Sequence, residues 1–320
     1  MTNYRTLILA ITLVFISACA EQAEQAEQAE QAEQAEQTMN LKAGAIFADC
    51  ADCPQMVVIP PGSFVMGHDG GVNEERYEGP PHNVTIGYSF AFGLLEITTA
   101  QFRAFIDDSG YTAGTDCRMW TGETVEPVVG KDWRDPGYGR PPRDDDPVAC
   151  VSWYDAKAYA AWLAKKTGRN YRLPTEAEWE YVAHDGGSTA WSWGEDPDAG
   201  CEVANYYDQS AAGLRPWDPV ACNDGQRIVA PVGSLQANSF GIFDVIGNVW
   251  EWVEDCHVVP YGVQPTDGSA HQVDGACEKR GVRGGAWHSR STWQRPSFRG
   301  RDTEDFVTQV FGIRVVRELP

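Results

Sequence analysis

Apolar positions are unevenly spread along this chain. After Arg5, residues 7–16 form one apolar run. The run is too short to cross a bilayer comfortably and has the shape of a secretory core segment. Residues 20–37 then hold six copies of Ala-Glu-Gln with no apolar face, so they can bury nothing and read as a spacer. Beyond them the pattern becomes that of a packed domain. Met56–Ile59 reads as a short apolar strand, Pro60-Pro61-Gly62 as a turn, and 63–67 as the returning strand. Residues 68–82 are polar and read as a loop, and the loose alternation over 83–92 predicts another strand. Three helices carry start signals. Thr98 with Gln101 opens a helix running to about Asp108, with Phe102, Phe105 and Ile106 on one face. Ser152 with Asp155 opens a second, in which 155–166 place Ala156, Tyr159, Ala160 and Leu163 on one stripe before Gly168 stops it. Thr175 with Glu178, after Pro174, opens a third containing Trp179, Tyr181 and Val182. Past Gly186 the pattern is short strands and long loops.

The expected class is therefore α+β, with much irregular structure. The expected organisation is a signal segment 1–19, a repeat-rich linker 20–45 and one domain 46–320. Twelve Trp, 32 Gly and 19 Pro fit many turns around an aromatic core. The formal charge of −21 excludes general nucleic-acid binding, because a phosphate backbone needs a basic face. Leaving Cys19 aside, eight cysteines remain, and an even number in an exported chain suggests disulfides. Local pairing favours Cys201 with Cys222 and Cys256 with Cys277, leaving Cys117, Cys150, Cys50 and Cys53. Cys50-x-x-Cys53 lacks a second CxxC or a histidine pair, and Pro54 with a strand follows it. A structural bridge is the expectation there, with a redox or metal pair as the alternative.

Two resemblances add function. Ile16-Ser17-Ala18-Cys19 resembles the bacterial lipobox. That implies lipidation of Cys19 and a membrane-anchored lipoprotein of the bacterial envelope, facing the periplasm or the cell surface. The second rests on six pieces in order: 56–67, 151–156, 171–181, 239–252, 282–287 and 311–317. Together, over roughly residues 54–318, they resemble the formylglycine-generating (sulfatase-modifying factor) family. Its fold is a loop-rich variant of the C-type lectin fold.

The resemblance implies structural calcium. One site would take the side chains of Asn205 and Asp224 with the carbonyls of Tyr206 and Gln226. A second would take the side chains of Asp244 and Glu251 with the carbonyls of Gly247 and Val249. Oxygen donors of this kind suit a hard cation. The bland reading has Asp224 capping a turn and Glu251 paired with an arginine. Active members of the family also hold a copper(I)-binding cysteine pair soon after a Gly-Gly-Ser motif. Here the motif is Gly284-Gly285-Ala286, Ser289 stands at the first cysteine position, and Gln294 or its neighbour stands at the second. No cysteine follows Cys277, and hydroxyl and amide groups cannot replace soft thiolates. Copper and formylglycine generation by the family's route are therefore not expected. No catalytic residue is assigned; His288 and Trp250 are the remaining candidates in that region.

The same segment carries Trp287, Arg290, Trp293, Arg295, Arg299 and Arg301, a basic and aromatic cluster in an acidic chain. It reads either as a groove for a peptide or anionic ligand, or as core arginines paired with buried acids. The leading expectation is a calcium-stabilised module that binds or matures a protein or peptide of the envelope. The alternative is a divergent metal-dependent oxidase, formylglycine-generating or of nonheme-iron type, acting on exported proteins.

Overall fold

The computed structural model describes residues 41–320 except 70–77, 188, 260 and 262–263. The signal segment, Cys19 and the repeats of 20–37 lie outside the described residues. Ala43–Leu319 form one compact unit. It begins earlier than residue 46, because Gly44 and Ala45 already hydrogen-bond to Val58.

The described elements run in chain order as β1 (Ile46–Phe47), β2 (Met56–Ile59), β3 (Gly62–Met66), β4 (His82–Ile86) and β5 (Phe90–Gly93). Helix α1 (Thr99–Ser109), β6 (Arg118–Trp120), β7 (Val125–Pro127), α2 (Trp153–Thr167), β8 (Tyr171–Arg172) and α3 (Glu176–His184) follow. The rest is β9 (Trp250–Cys256), β10 (Arg280–Arg283), β11 (Gly300–Asp302), β12 (Phe311–Gly312) and β13 (Val316–Glu318), with long irregular connections.

Two sheets carry the frame, one ordered β1-β2-β5-β13-β8 and the other β11-β10-β9-β12. Strands β3 and β4 pair in a separate ribbon, as do β6 and β7. The single strand expected over 83–92 is thus two strands in two sheets. Val84 and Ile86 pair in the ribbon with β3, while Phe90 and Phe92 pair with β2 and β13. Strand β4 alternates between buried and less buried positions while β5 is buried throughout, and the loose alternation of the sequence does not reveal either partner.

All three helices start where the capping signals put them. Thr98, Ser152 and Thr175 each accept from the backbone three residues on, and Gln101, Asp155 and Glu178 reach back to the cap backbone. Left-handed Gly110 and Gly168 end the first two, and Asp185 takes that conformation after the third. Helices α1 and α2 pack Phe102, Phe105, Tyr159 and Leu163 into one apolar cluster with Trp252 and Phe311. Helix α3 packs Trp179 and Val182 into a second, with Phe90, Tyr206 and Val253.

Four disulfides tie the loops: Cys50–Cys53, Cys117–Cys150, Cys201–Cys222 and Cys256–Cys277. The CxxC is therefore a bridge within a turn, as expected. Among the described residues no helix is long and apolar enough to cross a membrane.

Candidate functional site

The segment after β10 is built on Gly284 and Gly285, both in the left-handed region. A Cβ at Gly285 would meet the Gln294 amide at 2.3 Å, so only glycine lets the two pass. Ser289 and Gln294 are both fully buried. They grip the same residue from two sides: the Ala286 N–H donates to Ser289 Oγ at 3.0 Å, and Gln294 Nε2 donates to the Ala286 carbonyl at 3.0 Å. Ser289 and Gln294 are thus brought together, and they hold a clip on the backbone. All eight described cysteines are in disulfides, so no thiol stands beside them.

His288 lies against the Trp287 ring, and burial, with help from the Arg215 charge, pushes its pKa well below the usual value, so it is neutral. Its Nδ1 has no partner. Trp250 begins β9 and packs on Phe298 at 5.9 Å between ring centres. Among the described residues no group of three or more His, Cys, Asp or Glu is placed to share a metal ion.

The six basic and aromatic residues divide. Arg299 is fully buried and chelates Glu176, with Nε at 2.9 Å and Nη2 at 3.0 Å. Arg295 pairs with buried Glu78. Arg301 sits on β11 opposite Gly281. For Arg295 and Arg299 the groove expectation gives way to the core one. Arg290 differs: it is exposed and stacks over Trp217 at 4.8 Å and Trp293 at 5.7 Å. Trp287 is buried with its indole N–H unpartnered. Sequence reasoning missed Arg215 and Trp217, which come from a distant loop to join this cluster. The only available signal was a basic residue two positions from a tryptophan in an acidic chain.

The oxygen-rich loops lie next to each other. Gly247, at φ +90°, approaches the Asn205 carbonyl so closely that a Cβ would sit 2.2 Å from it, and the Asn248 N–H donates to that same carbonyl. In the first loop the Ser210 hydroxyl faces three acceptors: Asp208 Oδ1 at 2.5 Å, Asp224 Oδ1 at 3.1 Å and the Gln226 carbonyl at 2.6 Å. One hydroxyl proton cannot serve three oxygens. Asn205 Oδ1 and Asp224 Oδ2 are buried without any partner. Burial, and then the Asp208 charge, push the Asp224 carboxyl up to about 7. This surplus of buried acceptors fits a hard cation. Tyr206 is fully buried, its ring hydroxyl donating to the Pro197 carbonyl.

In the second loop Asp244 Oδ2 accepts from the Gly233 N–H, while Oδ1 is buried and unpartnered. Asp244 also borders a cavity of about 130 Å³. Glu251 is held on both oxygens, by Arg314 Nε at 2.8 Å and Trp179 Nε1 at 2.7 Å. Glu96, absent from the sequence-based set, lies in the same buried acidic group. Burial and the Asp244 and Glu251 charges push its carboxyl well up. Glu96, Asp244 and Glu251 thus share the single Arg314; Asp244 Oδ1 is the one unpartnered oxygen among them, and Glu251 has the arginine partner that the bland reading gave it. Asp224, in contrast, does more than cap a turn.

The sulfatase-modifying factor enzyme 1-like domain family matches residues 42–319. The formylglycine-generating enzyme of Mus musculus is 30% identical over 289 residues, covering 81% of this chain and 74% of that protein. The inactive C-alpha-formylglycine-generating enzyme 2 of Mus musculus is 31% identical over 232 residues, covering 63% of this chain and 69% of that protein. The solved structure of PvdO from Pseudomonas aeruginosa is similar at 35% identity and a TM-score of 0.73, over 87% of this chain and 99% of PvdO. The fold is the C-type-lectin-like, α+β fold of this family. With its glycine-hinged segment, its adjoining oxygen-rich loops and its match from end to end of the packed unit, the chain belongs to the sulfatase-modifying factor (formylglycine-generating enzyme) family.

Proposed function

We propose that the chain is an envelope-anchored lipoprotein of this family that does not generate formylglycine, and that works as a calcium-stabilised module binding or maturing a protein or peptide partner. One observation carries the reading. The two positions where the resemblance puts soft sulfur in active members hold Ser289 and Gln294, whose hydroxyl and amide N–H bind the Ala286 backbone while Gln294 Oε1 is buried without a partner. Neither offers a donor that copper(I) prefers, so these residues do not fit the ion. Relatives named active and inactive match about equally well, so the decision rests on these positions rather than on overall likeness.

Calcium, when bound, supplies charge balance and ties loops together. Asn205, Asp224 and the Tyr206 and Gln226 carbonyls would hold it in one loop. Asp244, Glu251 and the Gly247 and Val249 carbonyls would hold it in the other. The partner would meet the exposed face formed by Arg290 and Trp293 with Trp287 beneath it. The lipobox at Cys19 and the repeat spacer support display from a membrane.

The test is direct. Purified protein is incubated with copper and a cysteine-containing sulfatase peptide, and aldehyde is captured with an aminooxy reagent. The expected result is no aldehyde above a copper blank; catalytic conversion of the peptide overturns the reading.

A further inference from the structure

Five aromatic rings meet around two arginines at the partner-facing segment. Arg215 lies over Trp120 at 4.8 Å and over Trp287 at 5.9 Å. Arg290 lies over Trp217 at 4.8 Å and Trp293 at 5.7 Å. The two halves join through Trp217, whose ring is 6.3 Å from Trp120 and 5.9 Å from Trp293, with Tyr207 edge-on at 6.1 Å. Stacking covers the faces of a guanidinium and leaves its in-plane N–H groups free to bond.

Those N–H groups are not used by protein acids. Arg215 is only 8% exposed, and its one hydrogen bond here is a 3.3 Å contact to the Leu214 carbonyl. Among the described residues no carboxylate pairs with Arg215 or Arg290, although the chain has 46 acidic residues for 25 basic ones. Burial without an acid lowers the Arg215 pKa to about 10, which still leaves it charged at neutral pH. Two more donors nearby are unsatisfied: the indole N–H groups of Trp217 and Trp287 are buried with no acceptor. A buried donor left without a partner costs stability, so two indoles and a guanidinium in one place are unfavourable unless something accepts from them. Meanwhile Trp120, Trp217 and Trp293 keep part of their surface open to solvent.

We propose that this cluster is a binding site for an aromatic carboxylate, with the carboxylate oxygens accepting from Arg215, Arg290 and the indole N–H groups, and the ring packing against the partly exposed Trp120 and Trp217. The site deepens the partner-binding reading and rests on it for its biological meaning, but its chemistry can be tested alone. A carboxylate matches the planar fork of arginine, and a flat ring matches the indole surfaces.

The experiment is calorimetric titration of the purified protein with 2-naphthoate, its neutral amide, acetate and inorganic phosphate. The expected order is 2-naphthoate first, with the amide, acetate and phosphate each weaker by about tenfold or more, the difference expected of one good charge-assisted contact. Arg290→Ala, at an exposed position, weakens 2-naphthoate by about tenfold without changing the melting temperature. Arg215→Lys keeps the charge but loses the fork, and weakens it further. If Arg215→Lys does not fold, the Arg290→Ala result and the ligand order decide. No binding of 2-naphthoate, equal binding of its amide, phosphate binding as well as 2-naphthoate, or an Arg290→Ala protein that binds unchanged would each overturn the proposal. Aldehyde formed from a sulfatase peptide would overturn the preceding functional reading while leaving this binding result intact.

Discussion

Arginine occupies two opposite kinds of place in this molecule. Around α3 and β9–β10, Arg283, Arg299 and Arg314 are fully buried and bonded to Glu180, Glu176 and Glu251 respectively. Burial pushes the Glu176 carboxyl up, but Arg299 and Arg283 outweigh it and hold the group at about 2. Backbone carbonyls take the remaining donors: Arg283 reaches Ser297 and Phe298, and Arg314 reaches Gly93 and Phe243. Around the 287–293 segment, Arg215 and Arg290 have tryptophan faces and no acid. The first arrangement pairs each guanidinium with a buried carboxylate and leaves only Arg283 Nε without a hydrogen bond, and so holds loops together. The second leaves valences open, which costs stability and makes sense only at a surface meant to be completed by something else.

The sharpest break of this comparison is to remove one partner of a closed pair. Arg283→Ala leaves Glu180 charged in the core and should cost roughly 3–5 kcal/mol, read as a shift in the urea midpoint. Arg290→Ala, in the open cluster, should stay within about 0.5 kcal/mol of the parent. Equal losses from the two would end the distinction drawn here.

Next in size is the disulfide Cys201–Cys222, which closes the loop carrying Asn205, Asp208, Arg215 and Trp217. Replacing both cysteines with serine should cost about 3 kcal/mol through the freed loop entropy. It should also loosen 2-naphthoate, because Arg215 and Trp217 lose their anchor. A variant that melts lower yet binds unchanged would show that the open cluster does not depend on this loop.

Calcium tests the oxygen-rich loops, whose acceptors are open as the donors of Arg215 are. Asp224 and Asp244 are raised to about 7 and about 6, burial being the first cause in each. Unfolded carboxyls titrate near 3.9. The folded, calcium-free protein therefore keeps protons that the unfolded chain has released, and these two groups make stability fall as pH rises from about 4 to about 7. Calcium takes the ionised form, so its stabilisation grows with pH over the same window. At about a hundredfold excess over the dissociation constant, calcium should raise the melting temperature by roughly 5–10 °C at pH 7.5. The rise should be smaller at pH 5. Comparing each pH with and without chelator removes the contribution of Asp255, raised to about 8 and bonded to the His271 and Glu176 N–H groups rather than to these loops. A larger rise at pH 5, or none at either pH, would count against calcium there.

A smaller loss is expected at Ser289 and Gln294. Ser289→Ala removes one hydrogen bond to the Ala286 N–H and should cost about 1 kcal/mol, with Gln294→Leu similar. A far larger loss from either would mean that the clip is a keystone of the segment rather than a local brace.

Much of this was legible beforehand. The three capping boxes are contacts over three residues, and each helix starts where its box lies. The two local disulfides span 21 residues each and were readable as neighbours. The strand over 83–92 was misjudged because alternation cannot say which sheet takes which half. The buried-acid alternative holds for Arg295 and Arg299, but the sequence could not name Glu78 and Glu176, which lie 217 and 123 residues away.

By itself, the sequence determined the family, the helix starts and the absence of soft sulfur at 289 and 294, since each is a property of residue type at a fixed local position. The tertiary structure alone decided which arginines are closed and which are open. Pairing of a buried charge depends on what the fold carries to it from far along the chain, and no local pattern encodes that distance.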